Sequence, residues 1–298
     1  MDILTIRALQ KRFGDKQVLR GIDLSVPTGS VFGFIGKNGA GKTTTMKAIL
    51  GLLRVDAGEI LIDGQPVRYG QSATNRIIGY LPDVPEFYPF MTAREYLSLC
   101  GESLQMPSGS IKERSEELLT LVGLAQETHR IRGYSRGMKQ RLGIAQALLG
   151  SPRLLICDEP TSALDPVGRK EILDILLSVK DRTTVLFSTH VLSDVERICT
   201  DVAFLNDGRI AMQGTVSQLK ALHPLQTIRL ELRHPGDLLA LLAAFPAAVR
   251  TEDTVLTLAG DETTMQELLH YLAQSNTPIV RVEQIEPTLE SLFMEVVS

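Results

Sequence analysis

The stretch Gly36-Lys37-Asn38-Gly39-Ala40-Gly41-Lys42-Thr43, with Thr44 after it, fills every position of the pattern G-x-x-x-x-G-K-[ST]. Glycines let a loop turn its backbone N–H groups toward phosphates, and a helix starting there adds partial positive charge. Lys42 is then placed to reach the β- and γ-phosphates, and the Thr43 hydroxyl to ligate Mg²⁺. Farther on, the apolar run at 153 to 158 ends in two carboxylates, Asp158 and Glu159. At the C-terminal end of a buried strand such a pair faces a bound nucleotide. Asp158 suits the metal, and Glu159 suits the general base that orients and polarises a water. Taken singly, the first stretch also reads as a glycine-rich turn and the second as a solvated strand end; together they favour a nucleotide site. Cys157, between Ile156 and the carboxylates, reads as a packed core thiol and not as a nucleophile.

The flanking elements have the order that such a site needs. VFGFI at 31 to 35 is a strand directly before the loop, and TTTMKAILGLL takes up a helical period directly after it. Strands are also expected at 3 to 8, 17 to 26 and 76 to 81. Residues 92 to 149 read as mainly helical, with capping boxes at Thr92/Glu95 and Ser110/Glu113. Strands return at 153 to 158 and 183 to 189 around a helix at 168 to 180, the alternation of a buried parallel sheet. A hairpin at 202 to 214 turns on Asn206-Asp207-Gly208. Past Pro224, strand and helix segments alternate with no glycine-rich loop. Two domains are therefore expected: 1 to 222, an α/β nucleotide-binding domain, and 223 to 298, a small α+β domain expected to be ferredoxin-like.

Bulk composition narrows the class. The 298 residues are 44% hydrophobic and 22% charged, with a net charge of −4 and no long basic tract, so no nucleic-acid partner is expected. Three scattered cysteines, Cys100, Cys157 and Cys199, without C-x-x-C spacing, fit free thiols in a reducing compartment. The N-terminus lacks a signal-peptide pattern, and the apolar run at 238 to 245 is far short of the roughly 20 residues that span a bilayer. A cytoplasmic location is expected.

Three further stretches follow the first two in order: Tyr134-Ser135-Arg136-Gly137-Met138, Ser162-Ala-Leu-Asp165 and Ser188-Thr-His190. With Phe13 upstream, the set resembles the nucleotide-binding subunit of an ABC transporter across the whole first domain. The resemblance implies a P-loop NTPase fold with a mixed sheet core, a β subdomain and a helical subdomain, and it implies ATP and Mg²⁺ as cofactors. It places Phe13 against the adenine, Gly36 to Thr44 around the phosphates, and His190 at the γ-phosphate. Ser135 and Gly137 belong to the signature that closes over ATP held by another subunit. Two departures stand out: Asp83, in GYLPDVPEF, replaces the family's glutamine near the metal, and Tyr134, Arg136 and Met138 replace Leu, Gly and Gln of the signature. A carboxylate at 83 can ligate Mg²⁺ directly or through water. Local readings stand beside these roles: core packing for Phe13, a simple helix cap for Ser135, and for Asp165 a cap before Pro166 at the first helical position. With one phosphate loop and one signature, the chain needs a second ATPase subunit, as a homodimer or as a heterodimer with a related chain.

The ending IEPTLESLFMEVV, the string YSRGMKQRL and the non-glutamine at 83 resemble ATPase subunits of ABC-2 type exporters, including the bacitracin, sodium and drug efflux subfamily. That resemblance implies an ATP-hydrolysing motor, peripheral at the cytoplasmic face of the membrane, that drives export through a separate membrane-spanning permease. The tail would steady or regulate the dimer, or serve only as a packing appendage. A soluble ABC-type ATPase or a regulatory assembly subunit is the alternative. Repair and chromosome ATPases carry long coiled coils between loop and signature, and translation factors carry two cassettes; neither feature is present. The Asn/Thr-Lys-x-Asp motif of a GTPase is also absent.

Overall fold

Apolar residues alternate along both arms of the opening segment, so it pairs as a long antiparallel hairpin, β1 (Asp2–Phe13) and β2 (Lys16–Pro27), with Leu4, Ile6, Leu19, Ile22 and Leu24 on the buried face. In this computed structural model the described residues are 1–71, 73–221, 227–285 and 288–297. The chain continues through β3 (Val31–Ile35), buried at all five positions, into α1 (Lys42–Ile49). β4 (Ala57–Ile62) then returns to the free edge of β1, and β5 (Gln65–Pro66) follows it, giving an antiparallel sheet in the order β2-β1-β4-β5. β4 was not among the expected strands, because its first three residues are exposed and carry no alternation.

β6 (Ile78–Leu81) leads to the helical stretch α2 (Ala93–Ser103), α3 (Ser108–Leu121) and α4 (Arg136–Leu148). The Thr92/Glu95 capping box forms with both of its hydrogen bonds. The one expected at Ser110/Glu113 does not. Pro107, with φ −61° and ψ 138°, is the N-cap of α3 three residues earlier, so Ser110 lies inside the first turn. Next come β7 (Leu154–Asp158), α5 (Pro166–Ser178), β8 (Thr184–Thr189), α6 (Leu192–Ile198), β9 (Asp201–Asn206), β10 (Arg209–Thr215) and α7 (Val216–Ala221). Asp165 caps α5 by accepting from the Gly168 N–H at 2.8 Å, with Pro166 following as expected. The hairpin turn is Asp207-Gly208, both at positive φ.

The second sheet has the order β10-β9-β3-β8-β7-β6, parallel except for the edge strand β10. Strands distant in sequence thereby become neighbours: β8 lies between β3 and β7, so the segments leaving these three strands emerge side by side. Phe32 and Phe34 on β3, Phe187 on β8 and Phe204 on β9 are fully buried, each burial contributing about 1.5–3 kcal/mol. One apolar cluster joins the two sheets, running from Ile3 and Leu24 to Phe32 and Leu154.

A second compact unit, Ser217–Ser298, is distinct from Met1–Val216. The boundary expected between 222 and 223 lies outside the described residues, as do Glu286 and Pro287 of the C-terminal stretch. The unit contains β11 (Thr227–Leu232), α8 (Leu238–Ala244), β12 (Val249–Arg250), β13 (Val255–Ala259), α9 (Glu262–Ser275), β14 (Ile279–Ile285) and α10 (Leu289–Val297). Its antiparallel order β12-β13-β11-β14, with the β-α-β-β-α-β succession, is the expected ferredoxin-like arrangement. Val249–Arg250 and Val255–Ala259 pair as a hairpin, with the charged run Glu252-Asp253 interrupting the apolar pattern between them. Ile228, Leu230, Leu256 and Leu268 form this unit's own core. Among the described residues no helix is long and apolar enough to cross a membrane.

The parallel sheet tolerates no extra bulk where β6 meets the end of α4. A Cβ on Gly79 would stand 2.2 Å from the Ala147 carbonyl oxygen and 3.1 Å from Pro152 Cγ. Gly79→Ala should therefore cost about 1–3 kcal/mol through backbone displacement. The expected outcome is a thermal unfolding midpoint lowered by several degrees, read by circular dichroism; an unchanged midpoint would show that this packing yields freely.

Candidate nucleotide-binding site

The loop that leaves β3 turns through Gly39 (φ 83°) and Gly41 (φ 116°), a left-handed conformation that side chains beyond glycine resist. Gly41 is the N-cap of α1 and has no side-chain capping bond, so the first N–H groups of α1 are left to an incoming anion. Lys42, only 6% exposed, folds back over the loop: its Nζ donates to Gly36 O at 2.7 Å and Lys37 O at 3.5 Å and stands 3.0 Å from Glu159 Oε1. The ammonium is thus held at the mouth of the loop by two carbonyls and a carboxylate.

Asp158 ends β7 in register with Ser188 on β8. The carboxylate is 3% exposed and takes one hydroxyl on each oxygen, Ser188 Oγ on Oδ1 at 2.6 Å and Thr43 Oγ1 on Oδ2 at 2.8 Å. Hydrogen bonds of this kind stabilise the charged form in a buried place. Glu159 follows at φ 49°, a left-handed backbone for a residue with a side chain, and its N–H is pinned by Ser188 O and Ser188 Oγ, both at 3.1 Å. The strained turn aims the Glu159 carboxylate back at the loop. There Oε1 meets Lys42 and Oε2 meets His190 Nδ1 at 2.9 Å.

Lys42, Thr43, Asp158 and Glu159 line a pocket of about 250 Å³ together with Val18, Asn38, Gly39, Gly41, Thr44 and Asp83, whereas His190 and Ser188 stand behind Glu159 and Asp158 outside that lining. The oxygens of Thr43 and Asp158 form a hard-donor pair that suits Mg²⁺. Among the described residues no three His, Cys, Asp or Glu side chains form a metal cage. A divalent ion here would accordingly need phosphate oxygens to complete its shell, as is usual for Mg²⁺ at nucleotide sites.

The other expected site residues fall into two groups. Asp83 does line the pocket; its Oδ1 is screened from solvent and lies 3.6 Å from Arg136 Nη2. Phe13 does not line it: the ring is 49% exposed at the tip of the hairpin whose β2 contributes Val18, with the Lys11 ammonium 5.1 Å from its centroid. Ser135 and Gly137 are likewise outside it, on the first turn of α4, where Ser135 Oγ accepts from the Met138 N–H at 3.2 Å as a helix cap. Two contributors have no role assigned from the sequence. Ser188 stands in the quoted stretch Ser188-Thr-His190, but only strand register shows that it meets Asp158. Asp194 binds Thr161 Oγ1 and Arg169 Nη2, each at 2.7 Å, and so braces the segment after Glu159. Cys157 is fully buried and its thiol is pushed up strongly by desolvation, which removes it as a nucleophile.

The family described as "ABC transporter" matches residues 19–162, and the "ATP-binding protein DrrA1-3-like, C-terminal domain" matches residues 214–297. The uncharacterized ABC transporter ATP-binding protein YxlF of Bacillus subtilis is 35% identical over 298 residues, covering 99% of each chain. The daunorubicin resistance ATP-binding protein DrrA3 of Streptomyces coeruleorubidus is 34% identical over 298 residues, 98% of this chain and 94% of its own. Among solved structures, cbiO1 from Clostridium perfringens, part of the ABC transporter complex cbiONQ, superposes with a TM-score of 0.69 at 28% identity, over 74% of this chain and 91% of that one. With a phosphate loop, a paired-carboxylate strand end and relatives matched over their full length, the chain belongs to the ATP-binding proteins of ABC transporters, in the DrrA/BcrA branch of the ABC-2 exporters.

Proposed function

We propose that this chain is the ATP-hydrolysing motor subunit of an exporter, peripheral at the cytoplasmic face of the membrane. Two copies close on two ATP molecules, and reopening after hydrolysis moves a substrate through a separate membrane-spanning permease. The convergence of Lys42, Thr43, Asp158 and Glu159 in one pocket, with His190 bonded to Glu159 from outside the lining, carries the reading. Lys42 and the α1 N-terminus hold the β- and γ-phosphates; Thr43 and Asp158 would hold Mg²⁺, which would supply charge neutralisation to the phosphates. Glu159 accepts the proton of a water aligned with the γ-phosphorus, and His190, bonded to its second oxygen, keeps the carboxylate oriented.

The signature supports the trans role. Among the described residues nothing demands glycine at 137: an added Cβ would meet only Leu164 Cδ2, at 3.9 Å. Its lack of a side chain suits a close approach from outside, beside a capped helix N-terminus that favours anions. Phe13, half exposed beside the loop's hairpin, is the candidate adenine platform. For the permease, a groove of about 500 Å³ opens between β6, α2 and α4, lined by Tyr80, Tyr88, Tyr96, Leu99 and Leu104. Tyr88, Leu104 and nearby Val84 and Phe90 expose more than half of their surface there and next to it. The names of relatives such as DrrA3 support a drug-type substrate.

Glu159→Gln should keep nucleotide binding while lowering steady-state hydrolysis by at least about 100-fold. ATP should then trap a dimer visible by analytical ultracentrifugation. Hydrolysis at the parent rate would remove Glu159 from the base role. Ser135→Arg, placed in the Glu159→Gln background, should leave nucleotide binding by the single chain in place yet abolish the ATP-dependent dimer. It also forfeits a cap of about 1 kcal/mol. Persistence of the dimer would show that the signature does not close across the interface.

A further inference from the structure

Positions 83 and 136, two of those that depart from the family pattern, face each other. Arg136, Gln140 and Gly143 lie on one face of α4, and all three meet the segment that follows β6. Arg136 Nη2 stands 3.6 Å from Asp83 Oδ1. Gln140, fully buried, donates from Nε2 to Asp83 O at 2.9 Å. At Gly143 a Cβ would come within 2.5 Å of Leu81 Cδ1 and 3.3 Å of Pro85 Cβ, so the helix backbone rides directly on the segment. Asp83 is thereby gripped by α4 through both its main chain and its side chain.

The same residue lines the nucleotide pocket, where it is the third carboxylate beside Asp158 and Glu159, against the single lining cation Lys42. Thr43 and Ser188 hydroxyls serve Asp158, and Lys42 with His190 serves Glu159. Asp83 Oδ1, screened from solvent, accepts no hydrogen bond, and Arg136 is the cation that faces it. A carboxylate in that place without a counter-charge would repel incoming phosphates.

We propose that Arg136 is a positioning residue for Asp83: its guanidinium offsets the third carboxylate of the nucleotide pocket and ties it to the first turn of α4. The pair joins two sites that serve different nucleotides. Asp83 senses phosphate charge in its own pocket, and the turn it grips carries Ser135 and Gly137 toward the partner's pocket. This second half rests on the trans-signature reading given above; the electrostatic half does not.

A double-mutant cycle on the full chain separates the two. Binding of a fluorescent ATP analogue with Mg²⁺ is titrated for the parent, Arg136→Gln, Asp83→Asn and the double variant. Arg136→Gln should weaken binding about three- to tenfold, because it leaves the carboxylate uncompensated. In the Asp83→Asn background the same change should have no effect beyond about twofold. Arg136→Lys, which keeps the charge, should bind within about twofold of the parent and carries the test if Arg136→Gln folds poorly. Equal weakening by Arg136→Gln in both backgrounds, no weakening at all, or a loss with Arg136→Lys as large as with Arg136→Gln would overturn the pairing. Sedimentation of the same variants in the Glu159→Gln background reads the second half: Arg136→Gln should lower the ATP-dependent dimer fraction at saturating nucleotide. If Glu159→Gln alone gives no dimer while the binding cycle is non-additive, the trans-signature reading fails and the pair stands. A dimer with an additive cycle overturns the pair and leaves the trans-signature reading standing.

Discussion

The buried carboxylate of Asp158 is the point on which the site's geometry depends. A nearly solvent-free charge persists only where hydrogen bonds replace water, and here two hydroxyls from different elements do so, Ser188 on β8 and Thr43 on α1. Each hydroxyl has to be delivered within bonding distance by its own strand or loop. The parallel register of β7 with β8, and of β8 with β3, is what brings them there. Because the carboxylate joins three segments, the phosphate loop, the Glu159 turn and the His190 segment are held as one assembly.

A second charge pair acts on top of this. Lys42 and Glu159 are both shielded, at 6% and 14% side-chain exposure, and neither has water enough to stand alone. Their pairing holds the Glu159 carboxylate 3.0 Å from the Lys42 ammonium. The positive φ of Glu159 makes this possible, because a relaxed backbone at the strand end would send the side chain along the strand and away from the loop. His190 Nδ1 meets the second oxygen of the same carboxylate, Oε2, at 2.9 Å.

The helical stretch connects with this assembly through Asp83, where α4 meets the segment leaving the edge strand β6. An edge strand has one neighbour in the sheet and so is freer to shift than β3, β7 or β8. Placing the pocket's third carboxylate there, under the grip of α4, joins its electrostatics to the one element in this unit that also carries the signature. The groove beside it is lined by residues of the same strand and helix.

Local chemistry decided much of this before any folding was considered. Residues 36 to 43 admit few readings because every glycine and hydroxyl position is constrained by phosphate geometry, and the run ending at Asp158-Glu159 needs only strand periodicity to be placed. The ferredoxin-like order of the tail followed from alternating periods, and the Thr92 and Asp165 caps from short-range hydrogen bonding. What stayed hidden depends on contacts between residues far apart in the chain. β4 carries no alternation in its exposed half, and only pairing with β1 makes it a strand. Ser110 has every local mark of a cap, yet Pro107 starts the helix first. Ser188 meets Asp158, and Arg136 meets Asp83, across 30 and more residues of chain, because strand register and one face of α4 put them together. Residue types and spacing thus named the reacting groups, whereas the counter-charges that hold them in place follow from sheet order and helix packing, which no short stretch of sequence encodes.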